Sequence, residues 1–280
     1  MDSLVSTEWL AARIGDSGFL VLDATMHLPG AGRDARGEFA GGHIPGAHHL
    51  DLASFKDAAS PVPNALPTGA QIAARLASMG WAPGMQIVIY DDSEIKTSAR
   101  AWFALRCAGI DSALLDGGLN KWRAEGRPLD REDAGATPSQ AGPLSTSESR
   151  VRTKAQMLAN IASAAEQVVD ARNAERFSGA TADTVHNLPG GHIPGSRHLF
   201  FGDVYNPDGT FKPANRLRAV FERAGIDLAR PIVTTCGSGV TASILLFALQ
   251  QIGIEDAALY DGSWSEWGAD PRMPKETGPA

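Results

Sequence analysis

The 280-residue chain has only two cysteines, Cys107 and Cys236. Two thiols cannot build a disulfide framework, and neither has a second thiol or a histidine at metal-ligand spacing, so the sequence calls for no metal site. No uninterrupted apolar run approaches the roughly 18 residues of a membrane-spanning helix. The opening segment, MDSLVSTEWLAARIG, lacks a basic stretch followed by an apolar one. The expectation is a cytoplasmic protein with no membrane partner. Positive charge is also in short supply. Lys and Arg total 25 against 32 Asp and Glu, and the net charge of −7 gives no attraction to a phosphate backbone. Nucleic acid is therefore not an expected partner. What remains is the composition of a folded protein, 43% hydrophobic and 20% charged, long enough for two domains of roughly 150 residues.

The chain repeats itself once. Val21-Leu22-Asp23-Ala24 recurs as Val169-Asp170-Ala171, and Gly42-His43-Ile44-Pro45-Gly46 as Gly191-His192-Ile193-Pro194-Gly195, at offsets of 147 and 149. Further on, Gln86-Ile87-Val88-Ile89 answers to Pro231-Ile232-Val233-Thr234, Asp116-Gly117-Gly118 to Asp261-Gly262-Ser263, and Trp122 to Trp267, at an offset of 145. One long, nearly constant offset means two copies of a domain, since solenoid repeats are far shorter. Between the copies, residues 134–150 begin with a small, polar, Pro/Gly-rich stretch without apolar periodicity, which reads as a linker. The expected domains are thus 1–133 and 151–280. In each, short β-rich runs (19–22, 87–90, 167–169, 232–235) alternate with helical stretches (68–79, 98–107, 155–164, 241–252). That alternation predicts an α/β fold, a mainly parallel sheet flanked by helices on both faces.

Such sheets bind ligands where strand C-termini meet helix N-termini. The strand at 232–235 runs there into Cys236-Gly237-Ser238-Gly239-Val240-Thr241 and then an apolar helix. A thiol in that position faces several backbone N–H groups and the positive end of a helix dipole, both of which favour a nucleophilic thiolate. Gly237 and Gly239 let the backbone curl round the sulfur. Ser238 and Thr241 offer hydroxyls either to sulfur or to turn and helix capping. At the matching point the first copy has Asp91, within Tyr90-Asp91-Asp92-Ser93-Glu94. It has no nucleophile there, and its acidic side chains would repel an anionic substrate.

The duplicated HIPG segments, Asp170-Ala171-Arg172, a loop cysteine in the second copy only, and Tyr260-Asp261-Gly262-Ser263-Trp264-Ser265-Glu266-Trp267 together resemble the two-domain rhodanese-type sulfurtransferases over essentially the whole chain. The uncharged loop from Cys236 to Thr241 is similar to that of the 3-mercaptopyruvate sulfurtransferases, whereas thiosulfate sulfurtransferases typically place basic residues in it. The resemblance implies two tandem rhodanese-like domains, the first catalytically inactive. It also implies ping-pong transfer: the Cys236 thiolate takes a sulfane sulfur from 3-mercaptopyruvate, releases pyruvate, and passes the sulfur as a persulfide to cyanide or a thiol, such as a small thiol or a thioredoxin-like protein. No cofactor or metal is implied. Arg176 matches an arginine that binds the donor carboxylate. A thiosulfate donor, or a persulfide carrier or binding module without its own small-molecule donor, is the alternative.

Three positions depart from the family pattern. A second donor-binding arginine, nine residues after the first, is here Val185, and the first-domain aspartate and histidine positions hold Ala53 and Asn64. His186 and Arg197 are the nearby groups able to replace the lost charge. The remaining features read as structural. His43 and His192 occupy duplicated turns, Trp264 and Trp267 form core or cleft wall, Asp261 makes a turn, and Cys107 is a buried thiol on a helix. A cysteine-dependent phosphatase would need an arginine six positions after the cysteine, where this chain has Ala242.

Overall fold

The computed structural model describes residues 1–132 and 134–279. Two compact units are present. The first comprises Met1–Asp57, Leu66–Ser147 and Pro207–Phe211; the second comprises Ala58–Ala65, Glu148–Asn206 and Lys212–Ala280. Residue 133, the expected end of the first domain, and residue 280, the expected end of the second, lie outside the described residues. The segment 134–147 forms no helix or strand. It is held to the first unit by hydrogen bonds from the Ser139 N–H to the Ala77 carbonyl (3.0 Å) and from the Ser147 N–H to the Cys107 carbonyl (2.7 Å).

In the first unit the elements are β1 (Leu4–Val5), α1 (Thr7–Ala11), β2 (Phe19–Asp23), α2 (Ala35–Gly41), β3 (Ala47–His49), α3 (Gly69–Ser78), β4 (Gln86–Tyr90), α4 (Ser98–Cys107), β5 (Ser112–Leu115) and α5 (Gly118–Ala124). The second unit has β6 (Val151–Arg152), α6 (Lys154–Ser163), β7 (Gln167–Asp170), α7 (Ala174–Ser178), β8 (Arg197–His198), α8 (Ala214–Arg223), β9 (Ile232–Thr235), α9 (Ala242–Gln251), β10 (Ala258–Tyr260) and α10 (Ser263–Trp267). The strands order as β1-β5-β4-β2-β3 and β6-β10-β9-β7-β8, each sheet five strands wide. Every strand pair is parallel. The expected tandem of helix-flanked parallel sheets is therefore what is found, and the elements read from the repeat agree with those seen to within a residue or two.

The central strands are apolar without alternation because helices cover them on both faces. Ile87, Val88, Ile89 and Tyr90 of β4 are fully buried, and so is Val233 of β9. Burying each such aliphatic side chain is worth about 1.5–3 kcal/mol. Helix starts follow from local capping. Thr68 and Thr153 each close a capping box, with Gln71 on α3 and Gln156 on α6. The aromatic anchors repeat as well: Trp122 donates its indole N–H to the Pro128 carbonyl and Trp267 to that of Pro274, both at 2.8 Å.

The duplicated histidines have one structural role in both units. The Nδ1–H of His43 donates to the Phe39 carbonyl at 2.8 Å while its ring stacks on Phe39 at 3.9 Å. His192 does the same with Phe177, at 3.0 Å and 3.9 Å. Cys107 is buried on α4, Trp264 and Trp267 sit in the second core, and neither cysteine is in a disulfide.

Candidate active site

The registers β2–β4 and β7–β9 align Asp23 with Tyr90 and Asp170 with Thr235, so the residues that follow β4 and β9, Asp91 and Cys236, are equivalent. Cys236 is buried, at 2% exposure, and it opens a loop that ends at α9. Gly239 adopts φ +79°, a left-handed conformation that needs glycine.

The carbonyls of this loop are spent on outside partners. Cys236 accepts the Trp264 N–H at 3.0 Å and Gly237 that of Ser265 at 2.8 Å. Ser238 accepts from Nδ2 of Asn64 at 2.9 Å, and Gly239 from the Ser243 hydroxyl at 2.8 Å. The Cys236 N–H is taken by Oγ of Ser263 at 3.2 Å. By contrast, the N–H groups from Gly237 to Thr241 donate to no protein acceptor among the described residues. The Thr241 hydroxyl makes no capping bond to α9, which removes the capping alternative for that side chain. Outward carbonyls with uncommitted N–H groups make an anion-binding concavity at the mouth of a helix.

The first unit fills the same concavity with its own anion. The Asp91 carboxylate accepts the N–H groups of Ser93 and Ser98, both at 2.9 Å. Its neighbour Asp92 is paired with Arg33 and Arg123. Those two donors are therefore spent on the protein's own carboxylate.

A charged cluster borders the second loop. Arg172 clasps the Asp170 carboxylate, with Nη2 at 2.6 Å from Oδ2, donates to the Gly191 carbonyl and lies over the Trp264 ring at 4.6 Å. Burial would lower its pKa; the charges of Asp170, Asp183 and Cys236 outweigh burial and raise it. Arg176, on α7, donates from Nη2 to Oδ2 of Asp183 at 2.5 Å. Oδ1 of the same carboxylate meets Nδ1 of His186 at 3.0 Å and accepts the His186 N–H at 3.2 Å. Burial alone would raise the Asp183 pKa, but hydrogen bonds from His186 and Arg176 hold it below the usual carboxylate range. Two buried donors in this cluster, Nη1 of Arg172 and Nε of Arg176, have no hydrogen-bond partner among the described residues. Such groups are costly unless something else satisfies them.

Arg176 and His186 both touch the loop. A Cβ placed on Gly237 would fall 2.2 Å from Cε1 of His186 and 3.0 Å from Nη2 of Arg176. The structure thus brings Cys236 and its loop together with Arg176, and of the two residues named as replacements for the missing arginine it brings in His186. Arg197 is exposed, with its guanidinium carbon 3.9 Å from where a Cβ on Gly225 would sit. Val185 is half-buried, and Ala53 is exposed with its N–H bonded to Asp51.

Sequence reasoning missed three contributors. Asn64, counted only as a lost histidine, holds the loop backbone. Asp183 organises the cluster. Ser263, at φ +50°, holds the Cys236 N–H where the first copy has Gly118 at φ +56°. A residue with a side chain at a left-handed position matched by glycine in the other copy is a signal the repeat alignment already contained.

The rhodanese-like domain family matches residues 6–125 and again 153–270, and the chain belongs to that family. The 3-mercaptopyruvate sulfurtransferase of Mus musculus is 35% identical over 272 residues, 95% of this chain and 91% of the mouse protein. A thiosulfate sulfurtransferase from Cricetulus griseus is 35% identical over 273 residues, with the same coverage of 95% and 91%. The crystal structure of SseA from Escherichia coli, described as a 3-mercaptopyruvate sulfotransferase with the rhodanese fold, matches with a TM-score of 0.80 and 30% identity, covering 94% of this chain and 99% of that one. Among the described residues no helix is long and apolar enough to cross a membrane, and no cluster of side chains could hold a metal ion.

Proposed function

We propose that this protein is a sulfurtransferase that moves the sulfane sulfur of 3-mercaptopyruvate through a Cys236 persulfide to cyanide or a thiol, releasing pyruvate. The observation that carries the reading is the row of uncommitted N–H groups, Gly237 to Thr241, after a buried cysteine at a helix N-terminus. A thiolate and a persulfide anion both need such donors, and fixed donors stabilise charge without reorganising. Cys236 is the nucleophile, residues 237–241 form the anion cradle, and Arg176, with a donor to spare at Nε, takes the donor carboxylate. Ser238 and Thr241 add hydroxyls at the rim. The transfer exchanges one sulfur bond for another and calls for no cofactor.

The same reading assigns residues 1–133 as an inactive rhodanese-like domain, 134–150 as linker and 151–280 as the catalytic domain. Asp91 at the position of the nucleophile, its carboxylate bonded to the Ser93 and Ser98 N–H groups, supports the inactive assignment. A chemistry run through free thiols suits the reducing cytoplasm, where small thiols or a thioredoxin-like protein would accept the sulfur. Thiosulfate is the second reading for the donor, favoured by the thiosulfate sulfurtransferase among the relatives.

Purified protein is offered 3-mercaptopyruvate or thiosulfate, each with cyanide, and pyruvate, thiocyanate and intact mass are followed. The expected result is pyruvate release without any partner protein, higher kcat/KM with mercaptopyruvate, and one added sulfur on wild type and Cys107→Ser but not on Cys236→Ser. Higher kcat/KM with thiosulfate would reverse the donor assignment. A persulfide without release from either donor would make the protein a carrier, and a persulfide on Cys107 would overturn the site.

A further inference from the structure

The proposed half-reaction has a proton to move, and resting on that reading, we infer that His186, oriented by Asp183, moves it. The Cys236 thiolate forms the S–S bond with its own electron pair. The C–S bond of mercaptopyruvate breaks, and its pair enters the methylene carbon as an enolate. The donor arrives as a thiol and the persulfide is stable as an anion, so one proton leaves the donor sulfur. Pyruvate has a methyl group, so one proton arrives at the methylene carbon. Charge and electrons balance with no oxidant, but the proton must travel between two substrate atoms on opposite sides of the breaking bond. A group that accepts and returns it within the site makes that transfer direct.

His186 is placed for this. The Asp183 carboxylate is wholly buried and ionised, with Oδ1 3.0 Å from Nδ1 and also accepting the His186 N–H at 3.2 Å. An ionised carboxylate can only accept, so Nδ1 carries its proton towards Asp183 and Nε2 is the nitrogen left to exchange a proton with a ligand. Among the described residues Nε2 has no hydrogen-bond partner. The ring edge at Cε1 abuts Gly237, the residue after the nucleophile, and the side chain keeps 17% exposure, so a ligand can reach it. The other charged groups at the ring are Arg176, whose Nη2 lies 3.4 Å from Nδ1, and Arg172, 3.9 Å from the other Asp183 oxygen. The guanidinium groups are donors only, whereas an imidazole nitrogen can both accept and donate. Among the side chains shown to touch the loop it is the one whose chemistry matches the missing step.

The two half-reactions separate this role from a structural one, because discharge of the persulfide by cyanide moves no proton. His186→Asn keeps an amide donor for Asp183 but cannot relay, and His186→Gln places a neutral amide near the Nε2 position. Pyruvate formation in a single turnover is measured by rapid quench with the full-length protein. Thiocyanate release is measured from enzyme already loaded as persulfide by long incubation with donor. Both variants are expected to slow the first half-reaction tenfold or more while the second changes less than twofold. Pyruvate formation within twofold of wild type, or equal slowing of both halves, would overturn the inference. If wild type itself releases no pyruvate and forms no persulfide, the sulfurtransferase reading fails first, and the two failures are told apart by that control.

Discussion

Gly237→Ala tests the packing of the cluster on the loop with a single methyl group. The added Cβ would fall 2.2 Å from Cε1 and 3.0 Å from Nδ1 of His186, and 3.0 Å from Nη2 of Arg176. Gly237 is not among the residues with positive φ, so alanine can hold the same backbone and the perturbation is steric alone. Carbon atoms rest at about 3.5–4.0 Å, so the imidazole must retreat by more than about 1 Å. The retreat strains the Asp183 hydrogen bond or pushes the Arg176 guanidinium off the loop. A displacement of about 1 Å at a reacting group costs up to roughly 10²-fold in rate. We therefore expect kcat/KM for mercaptopyruvate to fall about tenfold to hundredfold, or roughly 1.4–2.8 kcal/mol. Stability should change little, at the low end of the roughly 1–3 kcal/mol for overpacking, because His186 and Arg176 have free edges at 17% and 21% exposure. The assays are steady-state pyruvate release, thermal melting and the rate at which iodoacetamide alkylates Cys236. Alkylation should persist, because the cysteine and its N–H cradle stay in place. A folded variant with wild-type kcat/KM would refute the claim that these side chains work from the surface of the loop.

Arg176→Ala should raise KM for mercaptopyruvate about tenfold, the low end of the loss expected for a charge-assisted hydrogen bond, because Asp183 already neutralises part of that charge at 2.5 Å; unchanged KM for both donors would remove Arg176 from donor binding. In the first unit, burial pushes Asp23 up to about 6 against hydrogen bonds from Thr25 and Tyr90. The folded state therefore holds its proton more tightly than the unfolded chain, so this group's contribution to stability is complete below about pH 4 and lost as pH rises through 6. Asp23→Asn should remove that loss and raise Tm relative to wild type at pH 7 but not at pH 4, and a Tm difference that does not change with pH would contradict it.

The sequence by itself determined the architecture. A near-constant offset between two copies, apolar strands alternating with helices, and glycines flanking one cysteine are local patterns, and local patterns survive in one dimension. The position of Cys236 at the end of β9 was legible for the same reason, as was the replacement of its counterpart by Asp91. The fold roles of His43 and His192 followed from duplication alone, since only a structural task is shared by both units.

Tertiary structure decided which groups meet that cysteine. Arg172, Arg176, Asp183 and His186 come from the segment between β7 and β8, yet they converge beside a loop that begins at residue 236. Nothing in their spacing distinguished His186 at Gly237 from Arg197 beside Gly225. Asn64 reaches the Ser238 carbonyl across 174 positions of sequence, a contact that no local pattern encodes. The state of the loop donors was equally out of reach, because whether an N–H is spent depends on every acceptor the folded chain brings near it. In the first unit the Asp91 carboxylate takes the Ser93 and Ser98 N–H groups, and in the second the N–H groups of residues 237–241 have no protein acceptor among the described residues.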